Sequence, residues 1–432
     1  MIPTLVISIL TFITIILSLF LFPRLKFKKV TLHTFWMVAL LGAVLLILFS
    51  LVPFKTIFTE LTADSNINPL KILILFFSMT VISVLLDEFG LFRFLASVAA
   101  KRAKSQTVLF FSFYFLVALL TVFTSNDVVI LTFTPFICFF CKRMKVNPIP
   151  YLVAEFAAAN TWSLLFIIGN PTNIFLATSA GITFIEYFKV MALPTLAAGL
   201  VELVLLYLLF RKKLSGNLGE NDHDVEKIDN KPMLFVGVAH LLICLVFLVI
   251  SNYINVQMWL ISFITASSLL LTSFVIALIM KRNFEFVTKS IKRLPYPLIP
   301  FFLSMFVIVV ALNYQGVSLE IAKLFGNSHT VWVYGFTSFM MSNVINNIPM
   351  SILYTGLCSH LDSSIYLKGV YASIIGSNIG AFLTPIGALA GIMFIDLINK
   401  HDVKFSFVDF IKYGFAISLP TISIALLVLF II

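Results

Sequence analysis

The sequence predicts an all-α polytopic membrane protein made of two halves of inverted topology. Of its 432 residues, 60% are hydrophobic and 11% are charged, against about 25% charged residues in a typical soluble domain. The mean hydropathy is +1.08. Short islands of polar, helix-breaking residues interrupt the apolar runs at matching places in the two halves. Because backbone groups in hydrocarbon need partners, such islands are tolerated only where they line a cavity.

Ten apolar stretches come close to the length of about 20 residues that a membrane-spanning helix needs. They are residues 2–22, 35–53, 71–87, 151–178, 191–210, 233–250, 258–280, 295–313, 369–396 and 409–431. Two further apolar segments, 106–141 and 331–358, carry a polar tip in the middle. The tips are residues 125–127 and 346–347. We expect these two segments to form re-entrant hairpins.

The basic residues indicate which ends of the segments face the cytosol, since cytosolic loops carry an excess of Lys and Arg. Hairpin 106–141 has a basic cluster on each side, at residues 101–104 and 142–145, so it enters and leaves the membrane on the same side. Most of the 29 Lys and Arg residues fall on the side that this assignment makes cytosolic. We therefore expect a multi-pass protein of the cell membrane, with both termini extracytoplasmic and the linker 211–232 cytosolic.

The predicted elements recur in the same order in residues 1–210 and in residues 233–432, on either side of the linker 211–232. Each half has five spans, and this odd number places the second half upside down in the membrane. In each half an amphipathic stretch precedes the hairpin, and a broken helix follows it, at 151–178 and at 369–396. An inverted repeat with broken helices gives alternate access to a central site, so the pattern indicates a transporter.

The polar side chains at the hairpin tips and helix breaks are neutral amides and hydroxyls, and they form the predicted substrate site. They are Ser125, Asn126, Asn160, Thr161, Asn170, Thr172, Asn173, Asn346, Asn347, Ser377, Asn378 and Thr384. Helix N-termini at the same places offer backbone amides to an oxyanion or a polyhydroxy solute. Because the set contains no Lys or Arg, a small neutral or singly charged solute fits it better than a multiply charged anion.

The same set offers ligands to a coupling ion. Unwound backbone carbonyls and Asn side-chain oxygens are the hard ligands that a cation such as sodium prefers. The predicted sodium ligands are Ser125, Asn126, Asn173, Asn347 and Asn378. No resident cofactor is expected, and sodium or a proton would supply the coupling.

Three acids lie within apolar runs, where a charge at a helix centre costs about 2.5–3.5 kcal/mol on insertion scales. Asp127, at the first hairpin tip, is the leading candidate for ion coupling, and it also fits the role of a helix cap. Glu155 is the second candidate, as a proton carrier. Glu202 has no polar neighbour along its predicted scaffold-side span, so we expect a neutral or lipid-interface residue. Asp87 and Glu88 fall at a span end, where contact with water is the ordinary explanation.

Several motifs resemble those of the arsenite-efflux permeases of the ion transporter superfamily. They are Leu85-Leu86-Asp87-Glu88-Phe89-Gly90, Ser125-Asn126-Asp127 with Thr134-Pro135, Gly169-Asn170-Pro171-Thr172-Asn173-Ile174, Asn346-Asn347-Ile348-Pro349, and Ile375-Gly376-Ser377-Asn378-Ile379-Gly380 with Leu383-Thr384-Pro385-Ile386-Gly387. The superfamily also holds sodium-coupled dicarboxylate and citrate carriers and sodium/proton antiporters. The resemblance implies a homodimer of scaffold and transport domains, elevator movement, and ligand held by the hairpin tips and broken helices.

One departure from that family concerns coupling. Where the arsenite permeases carry an Asp in each broken helix, this chain has Asn160 and Asn378. A proton-coupled mechanism that relies on those two acids cannot run unchanged here.

Other classes of function lack support in the sequence. The chain has no phosphate-cradling Gly-x4-Gly-Lys-Ser/Thr and no His-Glu-x-x-His motif, so we expect neither an enzyme nor ATP hydrolysis. By family analogy, an ATPase would be a separate soluble partner. The net charge of +10 comes from loop residues and indicates no nucleic-acid partner.

The expected function is therefore secondary transport, with the lipid bilayer and a small inorganic or organic ion as partners. The favoured cargo is a small inorganic oxyanion or neutral hydroxide, with arsenite or antimonite efflux as the best single name. The alternatives are sodium-coupled uptake of a dicarboxylate or citrate, and sodium/proton exchange.

Overall fold

The structure is a computed structural model that describes most of the chain. The described residues are 1–22, 24–27, 30–63, 68–216, 218, 226, 228, 230–281 and 284–432. Much of the predicted linker therefore lies outside the described residues, namely 217, 219–225, 227 and 229.

Within this part of the chain, twenty α-helices account for nearly all of the regular structure. They are α1 (Ile2–Leu21), α2 (Thr34–Leu48), α3 (Phe54–Thr62), α4 (Pro69–Glu88), α5 (Leu91–Arg102), α6 (Gln106–Phe123), α7 (Asn126–Met144), α8 (Ile149–Trp162), α9 (Pro171–Ser179), α10 (Phe184–Phe210), α11 (Lys231–Ile250), α12 (Met258–Ile279), α13 (Glu285–Arg293), α14 (Leu298–Tyr314), α15 (Val317–Phe325), α16 (Thr330–Ile345), α17 (Asn347–Cys358), α18 (Tyr366–Gly380), α19 (Leu389–Lys400) and α20 (Phe407–Ile431). Short 3-10 helices occupy Ile167–Gly169 and Arg211–Lys213.

Seven helical segments among the described residues are long and apolar enough to cross a membrane. They are Pro69–Glu88, Gln106–Phe123, Phe184–Lys213, Lys231–Ile250, Met258–Ile279, Glu285–Tyr314 and Phe407–Ile431. The predicted spans α1 and α2 are apolar but shorter, over Ile2–Ser18 and Thr34–Leu48. One of the seven, α6, is the first arm of a predicted hairpin. It reaches spanning length because its apolar run continues for 18 residues before the polar tip begins. At 1.5 Å per residue this arm nearly equals the thickness of the hydrocarbon core.

A small β-hairpin departs from the all-α prediction. Strand β1 (Arg24–Phe27) pairs antiparallel with β2 (Val30–His33) in the connection between α1 and α2. The second strand begins with Val30 and Thr31, two β-branched residues that favour extended backbone. This strand pattern is only a few residues long and lies between two long apolar helices, so the sequence prediction does not detect it.

The helices pack in two groups. One group contains α1, α2, α4 and α11 to α14, and the other contains α6 to α10 and α16 to α20. The groups meet where α14 packs on α17, where α1 packs on α16, and where α4 packs on α7 and α9. Small residues lie in the contact between α16 and α18. A Cβ atom on Gly376 would overlap the Ser338 hydroxyl and the carbonyl of Gly335, as expected where helix backbones approach closely in a membrane.

The order of elements repeats along the chain. From α4 to α10, and again from α14 to α20, a long helix is followed by a short helix, a pair of helices joined at a polar tip, a helix in two pieces, and a last long helix. Both short helices, α5 and α15, begin after a glycine in the left-handed conformation, with φ of 89° at Gly90 and 74° at Gly316. A glycine adopts this conformation without a steric penalty, so the two turns are built in the same way.

Candidate functional site

The first broken helix consists of α8 and α9, which are separated by residues 163–170. Helix α9 begins at Pro171, where proline lacks only an N–H that would be unpaired anyway. The Asn170 side chain caps this helix by accepting a hydrogen bond of 3.1 Å from the backbone N–H of Thr172. The Asn-Pro pair therefore starts a new helix at the place where the sequence predicts the break.

The second broken helix consists of α18 and α19, and a side chain from α16 holds its break. The Asn343 carbonyl accepts from the backbone N–H of Thr384 over 3.1 Å and from its hydroxyl over 2.7 Å. The Asn343 amide donates to the carbonyl of Gly380 at the end of α18, over 2.9 Å. Asn343 is absent from the predicted set, although an Asn inside an apolar hairpin arm is a usable signal.

Each hairpin tip is tied to the broken helix of its own half. At the first tip, the Asn126 amide donates to the side-chain carbonyl of Asn160 on α8, over 3.2 Å. At the second tip, the Asn346 amide donates to the carbonyl of Ile386 over 2.9 Å, and the backbone N–H of Asn347 donates to the carbonyl of Gly387 over 3.0 Å. Asn346 has a φ of 71°, a left-handed conformation that Asn tolerates better than most residues.

A buried amide cluster joins the two broken helices directly. The Asn378 carbonyl on α18 accepts from the Ser163 hydroxyl and from the Asn170 amide, each over 2.9 Å. The Asn378 amide donates to the Asn173 carbonyl over 2.6 Å, and the Asn173 amide donates to the backbone carbonyl of Ser163 over 2.7 Å. These four side chains, from two halves of the chain, are all buried. Ser163 was not predicted, since it precedes the recognisable Asn-Pro motif by several residues.

The other predicted site residues have different neighbours. The Thr172 hydroxyl donates to Asn170 within the same cap. Ser125 and Ser377 are buried, and their hydroxyls have no hydrogen-bond partner among the described residues. Of the predicted sodium ligands, Asn173 and Asn378 bond to each other, whereas Ser125 and Asn126 lie together at the first tip.

A cavity of about 790 Å³ lies where the two helix groups meet and reaches the first hairpin tip. Ser125 and Asp127 line it from the tip, and Thr80 lines it from α4. Lys292 and Arg293, at the end of α13, line it from another side. The cavity therefore reaches two residues of the predicted site, Ser125 and Asp127.

Arg293 also corrects part of the prediction for Asp87 and Glu88. Both acids pair with the Arg293 guanidinium, over 2.6 Å and 2.7 Å, and of the two it is Glu88, with a side chain 14% exposed, that keeps the predicted contact with water. Asp87 is only 4% exposed. The sequence assigns Arg293 to a loop more than 200 residues away, so nothing local indicates this ion pair.

The two remaining buried acids have hydroxyl partners. Both carboxyl oxygens of Glu155 on α8 accept from the Thr134 hydroxyl on α7, over 3.0 Å and 3.2 Å. The expectation that Glu202 has no polar neighbour is wrong. Glu202 is fully buried, and its carboxyl group contacts the hydroxyls of Thr161 and Tyr114. The reason is that α10 packs against α8 and α20 and so lies within the second helix group.

Long apolar helices that enclose two polar helix breaks place the chain in the class of multi-pass membrane transporters. Residues 12–369 match the citrate transporter family, and the chain belongs to that family. This match confirms the superfamily that the motifs predict.

Individual relatives are also membrane transport proteins. The arsenical pump membrane protein of Escherichia coli strain K12 is 26% identical over 366 residues, which cover 81% of this chain and 84% of that protein. An uncharacterized transporter of Mycobacterium tuberculosis is 25% identical over 412 residues, covering 90% and 91% of the two chains. The crystal structure of the Alcanivorax borkumensis YdaH transporter, described as having an unusual topology, matches with a TM-score of 0.59 at 15% identity. That match covers 99% of this chain and 98% of the other, and it concerns the fold alone.

Proposed function

We propose that the chain is an ion-coupled secondary carrier that exports a small inorganic oxyanion or neutral hydroxide, such as arsenite or antimonite. The observation that carries this proposal is the neutral cluster of Ser163, Asn170, Asn173 and Asn378 between the two broken helices. Amide groups both donate and accept hydrogen bonds, as the hydroxyls of a neutral trihydroxide do. A solute of this kind can exchange hydrogen-bond partners with the cluster without bringing a charge into it. The relatives named as arsenical pump proteins support the same cargo.

The packing of the helices supports a moving site. In the proposed mechanism, the group of α6 to α10 with α16 to α20 is the transport domain, and the group of α1, α2, α4 and α11 to α14 is the scaffold of a homodimer. The repeated order of elements fits two halves of inverted topology, with alternate access to the cluster. Lys292 and Arg293 line the cavity between the groups, and positively charged ends face the cytosol. The 790 Å³ cavity would then be the cytosolic entrance.

Coupling is assigned to the first hairpin tip. Asp127 lies in the first turn of α7 and lines the cavity, so a sodium ion or a proton from the cytosolic side could reach its carboxyl group. Together with Ser125, Asn126, Asn173, Asn347 and Asn378, it supplies the oxygen ligands of the proposed coupling site.

Flux in proteoliposomes tests the proposal. Purified wild-type protein should move antimonite or arsenite with a rate that saturates with solute concentration. Asn378→Ala and Asn173→Ala should abolish this flux while the protein keeps its elution volume in detergent. Asn327→Ala is the matched control, because Asn327 is exposed and bonds to Asp362 far from the breaks. Wild-type rates in the two cluster variants would remove the proposed site.

A second candidate is sodium-coupled uptake of a dicarboxylate or citrate. The match to the citrate transporter family favours it, as does Lys292, whose positive charge lines the cavity and would attract a carboxylate. Thermal-shift measurements with arsenite, antimonite, phosphate, citrate, succinate, sodium and lithium separate the two candidates. Stabilisation by citrate or succinate in the presence of sodium, without stabilisation by arsenite, antimonite or phosphate, would support uptake.

A further inference from the structure

Glu202 is a fully buried acid that the proposed transport site does not use. It lies within α10 at 0% exposure, and its carboxyl oxygens contact hydroxyls from two other helices. Oε1 lies 3.1 Å from the hydroxyl of Tyr114 on α6, and Oε2 makes a short hydrogen bond with the hydroxyl of Thr161 on α8. Within the described residues, no Lys, Arg or His bonds to this carboxyl group. A bare negative charge here would therefore lack a counter-charge.

The contacts of the Tyr114 hydroxyl show where a proton is needed. This oxygen carries one proton and two lone pairs. It lies 2.7 Å from the backbone carbonyl of Gly199, which can only accept, and 3.1 Å from the indole N–H of Trp162, which can only donate. The Tyr114 proton therefore goes to Gly199, and Trp162 uses one lone pair. The second lone pair can bond to Glu202 only if Glu202 is protonated and donates.

The position of the indole depends on a glycine. A Cβ atom at residue 199 would lie 2.6 Å from the ring of Trp162. Since the indole fills that space, its N–H reaches the Tyr114 hydroxyl, and Tyr114 in turn reaches Glu202. With Thr161, five residues from three helices thus share one set of hydrogen bonds, in which Glu202 is the carboxylic acid.

We propose that Glu202 is a proton-binding site whose proton completes this set and locks α6, α8 and α10 together. When the proton leaves, the carboxylate competes with the Gly199 carbonyl for the single proton of Tyr114, and one of these two contacts of Tyr114 is lost. The effect is delivered to the transport site, because Thr161 follows Asn160, whose side chain bonds to Asn126 at the first hairpin tip. The effect on flux rests on the proposed function, whereas proton binding itself does not.

The other ionisable groups near α10 have different positions. They are Tyr151 and Glu155 on α8; Lys231, His240 and Cys244 on α11; Asp409, Lys412 and Tyr413 on α20; Arg211, Lys212 and Lys213 in the following 3-10 helix; and Glu186, Tyr187, Lys189 and Tyr207 on α10 itself. Glu155, the other buried acid among them, bonds to Thr134 on α7. Among the described residues, Tyr114 is the ionisable group that hydrogen-bonds to Glu202.

Infrared difference spectroscopy of the purified protein tests proton binding directly. Wild-type protein at neutral pH should show the carbonyl band of a protonated carboxyl group, with part of its intensity lost in Glu202→Gln. The same part should remain in Glu155→Gln and in Asp127→Asn, which control for the other two acids within apolar runs. A band unchanged by Glu202→Gln would overturn the proposal.

Flux measurements test the consequence. Glu202→Gln keeps the geometry of the protonated acid, because its amide can donate to Tyr114 and its carbonyl can accept from Thr161. This variant should fold, and the pH profile of its flux should differ from that of wild type. Glu60→Gln, at an exposed acid on α3, is the matched control and should keep the wild-type pH profile.

The infrared and flux measurements distinguish failure of the proton site from failure of the proposed cargo. If wild-type protein moves neither antimonite nor arsenite, the proposed cargo is wrong, while loss of the infrared band in Glu202→Gln would still establish the proton site. If wild-type flux is present and Glu202→Gln keeps both the band and the pH profile, the proton site is wrong and the carrier proposal stands.

Discussion

The side-chain amide of Asn378 donates a hydrogen bond of 2.6 Å to the side-chain carbonyl of Asn173, 205 residues earlier in the chain. The two residues lie on different broken helices, α18 and α9, and both are fully buried. Asn378 also accepts from Ser163 and Asn170, so it uses its donor and acceptor groups at once. An ionised carboxylate of the same shape could accept these bonds but could not donate.

Asn378→Asp tests this requirement. The ionised Asp should keep the bonds from Ser163 and Asn170 and lose those to Asn173 and to the carbonyl of Ile374. An unpaired buried polar group costs about 1–3 kcal/mol, so we expect flux at neutral pH to fall by a factor of roughly 5 to 150. Acidic pH should restore part of the flux, because a protonated Asp donates again. Initial rates over a pH series measure both effects.

The control for that series is Asn327→Asp, which places the same change at an exposed position. Full wild-type flux of Asn378→Asp at neutral pH would show that the donor group of Asn378 is dispensable.

Asp127→Asn tests the assignment of coupling to the first hairpin tip. The substitution keeps the size of the side chain and removes a carboxylate that lines the cavity. We expect the dependence of flux on sodium or on pH to change. Rates measured over both gradients check this, with the exposed Asp402→Asn as control. If both dependences stay as in wild type, Asp127 serves only the start of α7.

Arg293→Met should destabilise the protein by leaving the buried Asp87 without a counter-charge. Breaking a buried ion pair from one side costs about 3–5 kcal/mol, and we expect the lower end because the Arg293 side chain is 29% exposed. Adding Asp87→Asn to this variant should recover part of the loss. The midpoint of thermal unfolding in detergent measures both steps.

An exposed ion pair provides the comparison. Lys323→Met breaks the pair with Glu320, whose two side chains are 61% and 54% exposed. Such pairs contribute about 0–1 kcal/mol, so this midpoint should hardly move. Equal shifts in the two Met variants would contradict the role of Arg293.

Gly376→Ala should loosen the contact between α16 and α18. The added methyl group would overlap both the Ser338 hydroxyl and the backbone carbonyl of Gly335. Overpacking of this kind costs about 1–3 kcal/mol. Thermal unfolding measures the loss, and adding Ser338→Ala should not repair it, because the carbonyl remains in place. A wild-type midpoint for Gly376→Ala would mean that the two helices are not in close contact.

The sequence predicts the helices and their interruptions well, because those depend on local chemistry. The breaks near Asn170 and Thr384 follow from Pro, Gly and Asn within apolar runs, where no other arrangement satisfies the backbone. The short helices after Gly90 and Gly316 follow from amphipathic composition. Each of these features is encoded within about a dozen neighbouring residues.

The partners of the polar side chains could not be predicted in the same way. Glu202 meets Tyr114 and Thr161 only because α10 packs on α8, and no residue near Glu202 in the sequence is polar enough to suggest it. Asp87 meets Arg293 across the two halves of the chain. Such pairs depend on packing between distant elements, which a single sequence does not show.

The shared hydrogen bonds of Asn378 have a consequence for redesign. A library that randomises one broken helix while the other stays fixed will mostly return inactive variants. Each new side chain must form hydrogen bonds with the unchanged amide groups of the other broken helix. Residues 170, 173 and 378 should therefore be varied together, as a single combinatorial unit, when the selectivity of this carrier is engineered.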